Sequence, residues 1–462
     1  MATQLELRFE TADRPKSTRT TSPALPPMTL EEIASVANLE KAWLRVASND
    51  GAAGPDRVSI DDVREHAARV LAKLHRELLD GSYRPGDIRR VWIPKPGGGQ
   101  RGLGIPNVVD RIVQQATAQV LSPHYEPTFH GSSHGFRPDR SCHTAIAEAK
   151  KHLAEGMKWV VDFDLSKFFD RVHHERLLAR LATRIVDMRV LGLIRRMLKA
   201  KVVMPDGVVT STAEGTPQGG PLSPLLSNIV LDELDWELDR RGHRFVRYAD
   251  DCNIYVRSER AGRRVMESVR SFVEKRLRLL VNEDKSAVAR PEERHFVGFS
   301  LERMQHSGNV VVLLSKRSRE RIDDAVRSRT PRTWGRSIRA CIKGLNAYLA
   351  GWIAFFRICS SREARTFGRI DSHIRRRLRA IVLRHWKRTS TARRNLRRLG
   401  VAPRVVRNWA TSGRSWWSRS HSSAVEKGLS NAWFARLGLI SIEERWRTYN
   451  GASKSAEPAS ER

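Results

Sequence analysis

The chain has 462 residues, enough for two or three domains and a substantial core. Its 83 Lys and Arg outnumber 51 Asp and Glu, so the net charge is +32 and a polyanionic partner is expected. No run of 18 apolar residues occurs, which excludes a membrane-spanning helix, and the first ten residues lack the apolar core of a signal peptide. Cys142, Cys252, Cys341 and Cys359 show neither metal-ligand spacing nor a disulfide framework, as expected of free thiols in a reducing cytoplasm.

Residues 11–28 carry Pro15, Pro23, Pro26 and Pro27 among Ser, Thr and Arg, a composition that buries no core and reads as a mobile leader over 1–28. Thr29 and Glu32 form a capping-box pattern that opens a helix with Ile33, Val36, Leu39 and Trp43 on its apolar side. After a turn at Gly51–Asp56, Asp61 or Asp62 is expected to cap a second helix bearing Val63, Ala67, Val70, Leu71, Leu74 and Leu78. Val91–Ile93 and Leu103–Ile105 flank a glycine loop, which predicts a hairpin with Lys95 and Arg101 near its two sides. This is not a Walker A loop, because no Gly-Lys-Ser/Thr follows.

Two acidic stretches carry the chemistry. Trp159–Phe163 is apolar on entry and acidic where a strand would emerge, at Asp162 and Asp164, followed by Phe168 and Phe169. Farther on, Phe245, Val246 and Tyr248 read as one short strand and Ile254–Val256 as another, with Asp250 and Asp251 at the bend. Adjacent carboxylates repel unless a cation joins them. Carboxylates from two strand ends share Mg²⁺ with substrate phosphates, and two such ions about 3.5–4 Å apart serve phosphoryl transfer. The pattern therefore predicts a two-metal nucleotidyl-transfer site. Period-two alternation puts Asp162 and Asp164 on one face, so the residues alone leave both as candidate ligands.

The Tyr248-Ala-Asp-Asp251 hairpin and the Asp164-Leu-Ser-Lys-Phe-Phe-Asp170 stretch resemble bacterial group II intron reverse transcriptases (maturases). The resemblance runs from about Asn38 to about Tyr449, with further motifs in the family's order. It implies an α+β right-hand polymerase of fingers and palm, an α-helical thumb (maturase domain X) and a small basic C-terminal module. Asp164, Asp250 and Asp251 become the catalytic and metal-binding residues for two Mg²⁺ ions, Asp164 being favoured over Asp162. Lys95 and Arg101 become triphosphate contacts, with Arg111 on the helix that follows. Phe169 becomes the aromatic that blocks a ribose 2′-hydroxyl, and Gln218, in Gly215–Asn228, lies beside the nascent base pair. Gly135–Ser141 matches a fingers motif, Leu279–Ser286 supplies Lys285 as a candidate general acid, and His295–Phe299 resembles the primer-grip hairpin.

After Ser315 the pattern turns helical and basic, with helices expected near 316–329, 337–357 and 362–388. Residues 316–410 hold 27 Lys or Arg against 5 Asp or Glu, a local charge of +22 interleaved with Trp334, Trp352, Trp386 and Trp409. Guanidinium forks pair with phosphates and aromatic faces stack on bases, so nucleic acid is a better partner than lipid. Arg375, Arg376, Arg377 and Arg379 are the expected intron-RNA contacts, while Trp352 and Phe355 are expected in the helical core. The expected divisions are 1–28, 29–305 (fingers and palm), 315–392 (thumb/maturase), 393–450 (DNA-binding module) and a tail at 451–462. No His/Cys-rich endonuclease pattern follows, so target cleavage is not expected of this chain. The implied function is RNA-directed DNA synthesis with intron RNA template, DNA primer or target and dNTPs, together with help in splicing and mobility. A non-catalytic RNA-binding splicing factor and a CRISPR- or phage-defence-associated reverse transcriptase are the alternatives.

Overall fold

The computed structural model describes residues 25–94, 98–211, 214–215, 219–304, 306–410 and 415–454. Ten strands occur among them: β1 (Ile88–Pro94), β2 (Gln100–Ile105), β3 (Trp159–Phe163), β4 (Val202–Val203), β5 (Val209–Thr210), β6 (Arg244–Tyr248), β7 (Asp251–Val256), β8 (Ala287–Ala289), β9 (Phe299–Arg303) and β10 (Val310–Leu314). The fold class is α+β, as expected, and the chain separates into two compact units.

The first unit takes in 1–128, 178–211 and 219–222. Its sheet runs β2-β1-β4-β5, and β1 pairs antiparallel with β2 from Arg89↔Ile105 to Pro94↔Gln100, the hairpin anticipated around the glycine loop. The helices differ in detail from expectation. Leu30–Ala34 and Val36–Ser48 are separate, because the Ser35 side chain accepts from Asn38 N and restarts the helix after an extended residue. A serine in this position competes for backbone donors and so caps rather than continues. The break turns Val36 outward at 52% exposure, while Ile33 and Leu39 are fully buried. Similarly, Ser59 caps Ile60–Glu65, and Asp62 completes the capping box instead of being the cap. The helix then breaks at His66 and resumes at Ala67–Leu79.

The second unit comprises 129–177, 212–218 and 223–462. Its sheet has the order β6-β7-β3-β8, so the two acidic segments form its central strands. Helix Glu259–Phe272 crosses β3 and β8 closely: a Cβ added at Gly262 would lie 2.5 Å from Val288 Cγ1. The β9–β10 hairpin leads into helices Lys316–Arg329, Ile338–Phe356 and Ala364–His385, close to the expected spans. Trp352 is buried, and Phe355 stacks on Phe299 with ring centroids 5.4 Å apart. Burying each Leu, Ile or Phe here contributes roughly 1.5–3 kcal/mol, and one apolar core continues from Val160 and Phe299 through Ile353 to Phe434 and Trp446. The last helix, Ile442–Lys454, is received by the buried Asp371, which accepts from Ser441 Oγ and from the backbone N–H groups of Ile442 and Glu443. The segment after 389 therefore shares its core with the helices before it.

Candidate active site

Register brings the acidic residues together. β3 pairs antiparallel with β7 so that Asp162 faces Asn253 and Phe163 faces Cys252. Continuing that register sets Asp164, just past the end of β3, level with Asp251, which opens β7 opposite Tyr248 of β6. Asp250 occupies the hairpin turn after Ala249, whose backbone is left-handed at φ +57.

Two cations and two hydrogen-bonding neighbours surround Asp162 and Asp164. Lys285 Nζ lies 3.1 Å from Asp164 Oδ2, while Ser286 Oγ accepts from Asp164 N and Asn282 N donates to Asp164 O. Asp162 instead receives the Arg294 fork at 2.6 and 2.7 Å, and Arg294 also donates to the Lys285 carbonyl. Burial raises the Asp162 carboxyl from its ordinary value, with Arg294 opposing and Asp164 adding to the rise. Although Asp251 keeps a solvent-open face, the surrounding protein and the charges of Asp250, Asp164 and Asp162 push its carboxyl up to about 7. Among the described residues, no three acidic, His or Cys side chains converge as a closed metal cage, and Asp164 is turned to Lys285. The donor set still fits a hard divalent cation: it is all oxygen and anionic, and the repulsion at Asp251 is of the kind that a cation relieves.

The aromatic pair sits beside the end of β3. Phe168 is buried and Phe169 half-buried, their rings edge-to-face at 5.2 Å. Gly215, at φ +97, lies against this segment so tightly that a Cβ would meet Phe169 O at 2.9 Å, and His174 Nε2 donates to Gly215 O. Gln218 and Lys95 lie outside the described residues. Arg101 is exposed on β2 opposite Ile93, whereas Arg111 is buried and donates to Ala52 O.

One arginine was not anticipated. Arg247 of β6 is fully buried and forks onto Asp235 at 2.6 and 2.7 Å. It also donates to Asn228 Oδ1, Ser133 Oγ and, at 2.8 Å, to Ala249 O. It thus ties the turn bearing Asp250 to helix Ser223–Arg240 and to the segment before Gly135. A signal was present: Asp235 shares the Leu231, Leu234 and Leu238 face of that helix, where a lone carboxylate demands a buried partner.

Among the four arginines of the basic helix, Arg375 is half-buried and donates to Ser372 Oγ. Arg376 lies 4.2 Å from the Trp417 ring centroid. Arg377 donates to Thr330 Oγ1 and Thr330 O, and Arg379 is buried with its Nε on Leu429 O. Arg379 is therefore turned inward, away from the RNA-facing direction expected of it. Consecutive helical positions point to different sides, and this one meets the packed C-terminal segment.

Residues 93–301 match the family described as reverse transcriptase (RNA-dependent DNA polymerase), and residues 319–400 match the group II intron maturase-specific domain. Protein YkfC of Escherichia coli K12 is 34% identical over 320 residues, covering 61% of this chain and 84% of its own length. The chain belongs to the group II intron reverse transcriptases. This reverse transcriptase is also 30% identical over 336 residues to the group II intron-encoded protein LtrA of Lactococcus lactis, covering 58% of this chain and 55% of LtrA. It thus spans about half of LtrA's length. A partial Cas6-RT-Cas1–Cas2 complex aligns at a TM-score of 0.35 and 24% identity, covering 53% of this chain and 42% of that one. The family brings divalent-metal dependence and nucleic-acid substrates to this reverse transcriptase. No helix among the described residues is long and apolar enough to cross a membrane.

Proposed function

We propose that this reverse transcriptase copies RNA into DNA by two-metal nucleotidyl transfer, with Asp164 and Asp250 as ligands of both Mg²⁺ ions and Asp251 contributing less directly. The observation that carries the reading is the β3–β7 register, which ends at Phe163↔Cys252 and, continued by one residue, sets Asp164 level with Asp251 beside the turn bearing Asp250. When bound, two Mg²⁺ ions activate an attacking oxygen and stabilise a leaving one. The primer 3′-hydroxyl gives its proton to solvent water, and its oxygen bonds to the α-phosphorus of a dNTP. The α–β phosphoanhydride bond breaks, and pyrophosphate leaves with its electron pair. Lys285, in contact with Asp164, is a candidate to donate a proton to that leaving group. Phe169 crowds a ribose 2′-hydroxyl, Gln218 lies beside the nascent pair, and Lys95 and Arg101 contact the triphosphate.

The partners in this reading are an intron RNA template, a DNA primer or target and dNTPs, in the cytoplasm, with splicing and mobility assisted. The proposed divisions are 29–305 for polymerisation, 315–392 for the maturase part and 393–450 for DNA binding. Within the +22 stretch, Arg375 and Arg376 are the better candidates for RNA contact, and Arg377 and Arg379 support the fold.

The paired substitutions Asp162→Asn and Asp164→Asn test the ligand assignment. Asp164→Asn should abolish extension of a DNA primer on an RNA template while leaving RNA binding intact. Asp162→Asn should retain extension but melt earlier, because Arg294 loses its charged partner. The reverse pattern would transfer the ligand role to Asp162.

A further inference from the structure

Phe136 is held in an unusual state. The residue is 54% exposed, and its backbone is left-handed at φ +59, a conformation that costs a bulky L-residue free energy. Both flanks are fixed. Before it, His134 N donates to Arg247 O, and Asn228 Nδ2 donates to Gly135 O at 2.9 Å. Gly135 packs on the hairpin turn so closely that a Cβ would meet Ala249 N at 2.2 Å. After it, Arg137 lies over the Phe129 ring and donates to His130 O and Ser133 O, and Arg140 donates to Gly131 O. Ser141 then caps helix Cys142–Ala154. The surroundings therefore force the strain and hold an apolar ring in water, one residue from a backbone contact with the turn that carries Asp250.

We propose that Phe136 is a nucleic-acid contact of the insertion site, its ring face taking a nucleobase of the bound primer–template. The two arginines beside it are spent on backbone carbonyls, so this stretch offers an apolar surface rather than a phosphate clamp. Aromatic stacking accepts any base, as a template-directed polymerase requires. The proposal rests on the reading of Asp164 and Asp250 as the insertion site. It deepens that reading by naming a contact to the polymer itself.

The test uses the full chain and an RNA template–DNA primer without metal or dNTP, so it is independent of catalysis. 2-Aminopurine is placed at the primer terminus in one duplex and at the next template base in another. Fluorescence in each, with anisotropy for affinity, is compared for the wild type, Phe136→Ala, Phe136→Gly and Phe136→Trp. The wild type should change the signal at one placement, which identifies the strand. The Ala and Gly variants should lose that change and bind about 5- to 150-fold more weakly, the equivalent of ~1–3 kcal/mol for one base stack. Trp should keep both properties. Phe136→Gly, which tolerates left-handed backbone, should melt no lower than wild type, separating lost contact from lost fold. Wild-type affinity and signal in both the Ala and Gly variants would overturn the proposal. So would a wild type whose signal is unchanged at both placements. Failure of the wild type to bind any primer–template would instead overturn the insertion-site reading beneath it.

Discussion

Asp251 titrates where most aspartates do not. Burial and the charges of Asp250, Asp164 and Asp162 move its carboxyl from 3.8 to about 7. Between those values the folded protein keeps a proton that the unfolded chain has released. Stability therefore falls as pH rises through the window from about 4 to 7, and the penalty is absent below it. In the absence of divalent cations, the melting temperature should drop between pH 5 and pH 8 and Asp251→Asn should flatten that slope. Added Mg²⁺ should raise the melting temperature more at pH 8, where the carboxylates are all charged, than at pH 5. Thermal melts across this pH series give the answer, and an Asp251→Asn slope equal to that of wild type would remove Asp251 from the cluster. Asp162 and Asp164 show what a single residue's environment adds to a pattern. Alternation put both on one face, and the difference between them lies in their partners: Arg294 forks onto one, and the flexible ammonium of Lys285 reaches the other.

The hairpin β6–β7 is positioned from beneath by Arg247. Removing one partner of a buried ion pair leaves an uncompensated charge and costs about 3–5 kcal/mol. Arg247→Ala should therefore destabilise by about that amount in urea unfolding. Arg247→Met with Asp235→Leu should recover much of the stability but not the turn, because the bond to Ala249 O is still missing. A loss below about 1 kcal/mol for Arg247→Ala would show that the clamp bears little load. The strands at this level were legible, since the runs of Val160, Val161 and Val246 end in carboxylates and that of Ile254 follows them. The basic helices were legible as well, because caps at Ser315 and Ser337 and the break near Ser360 are written in local chemistry. What stayed hidden depended on distant partners. Arg379 reads as one cation in a run of four, and only the packing of Leu429 and Glu426 against it turns it inward. Ser35 was hidden for the opposite reason: a continuous apolar period from Ile33 to Trp43 masked a local cap.

Across the whole molecule, the excess of 32 positive charges is concentrated, with +22 between residues 316 and 410. Packing does not require that density, and the binding of polyanions with release of counterions accounts for it. Arg375→Gln should weaken intron-RNA binding, lower its salt slope by about 0.7–0.9 and leave melting unchanged. Arg379→Ala should lower melting first, since its guanidinium is buried on Leu429 O. Equal melting losses in the two variants would mean that Arg375 is also structural. The central claim is that the carboxylates at the ends of β3 and β7 carry nucleotidyl transfer while the basic surface carries binding. Single-turnover extension of a DNA primer on an RNA template by Asp250→Asn, with RNA affinity measured on the same preparation, tests it most directly. The predicted result is loss of extension with RNA affinity nearly that of wild type, because a neutral amide is a poor Mg²⁺ ligand. Extension by Asp250→Asn at a near wild-type rate would contradict it.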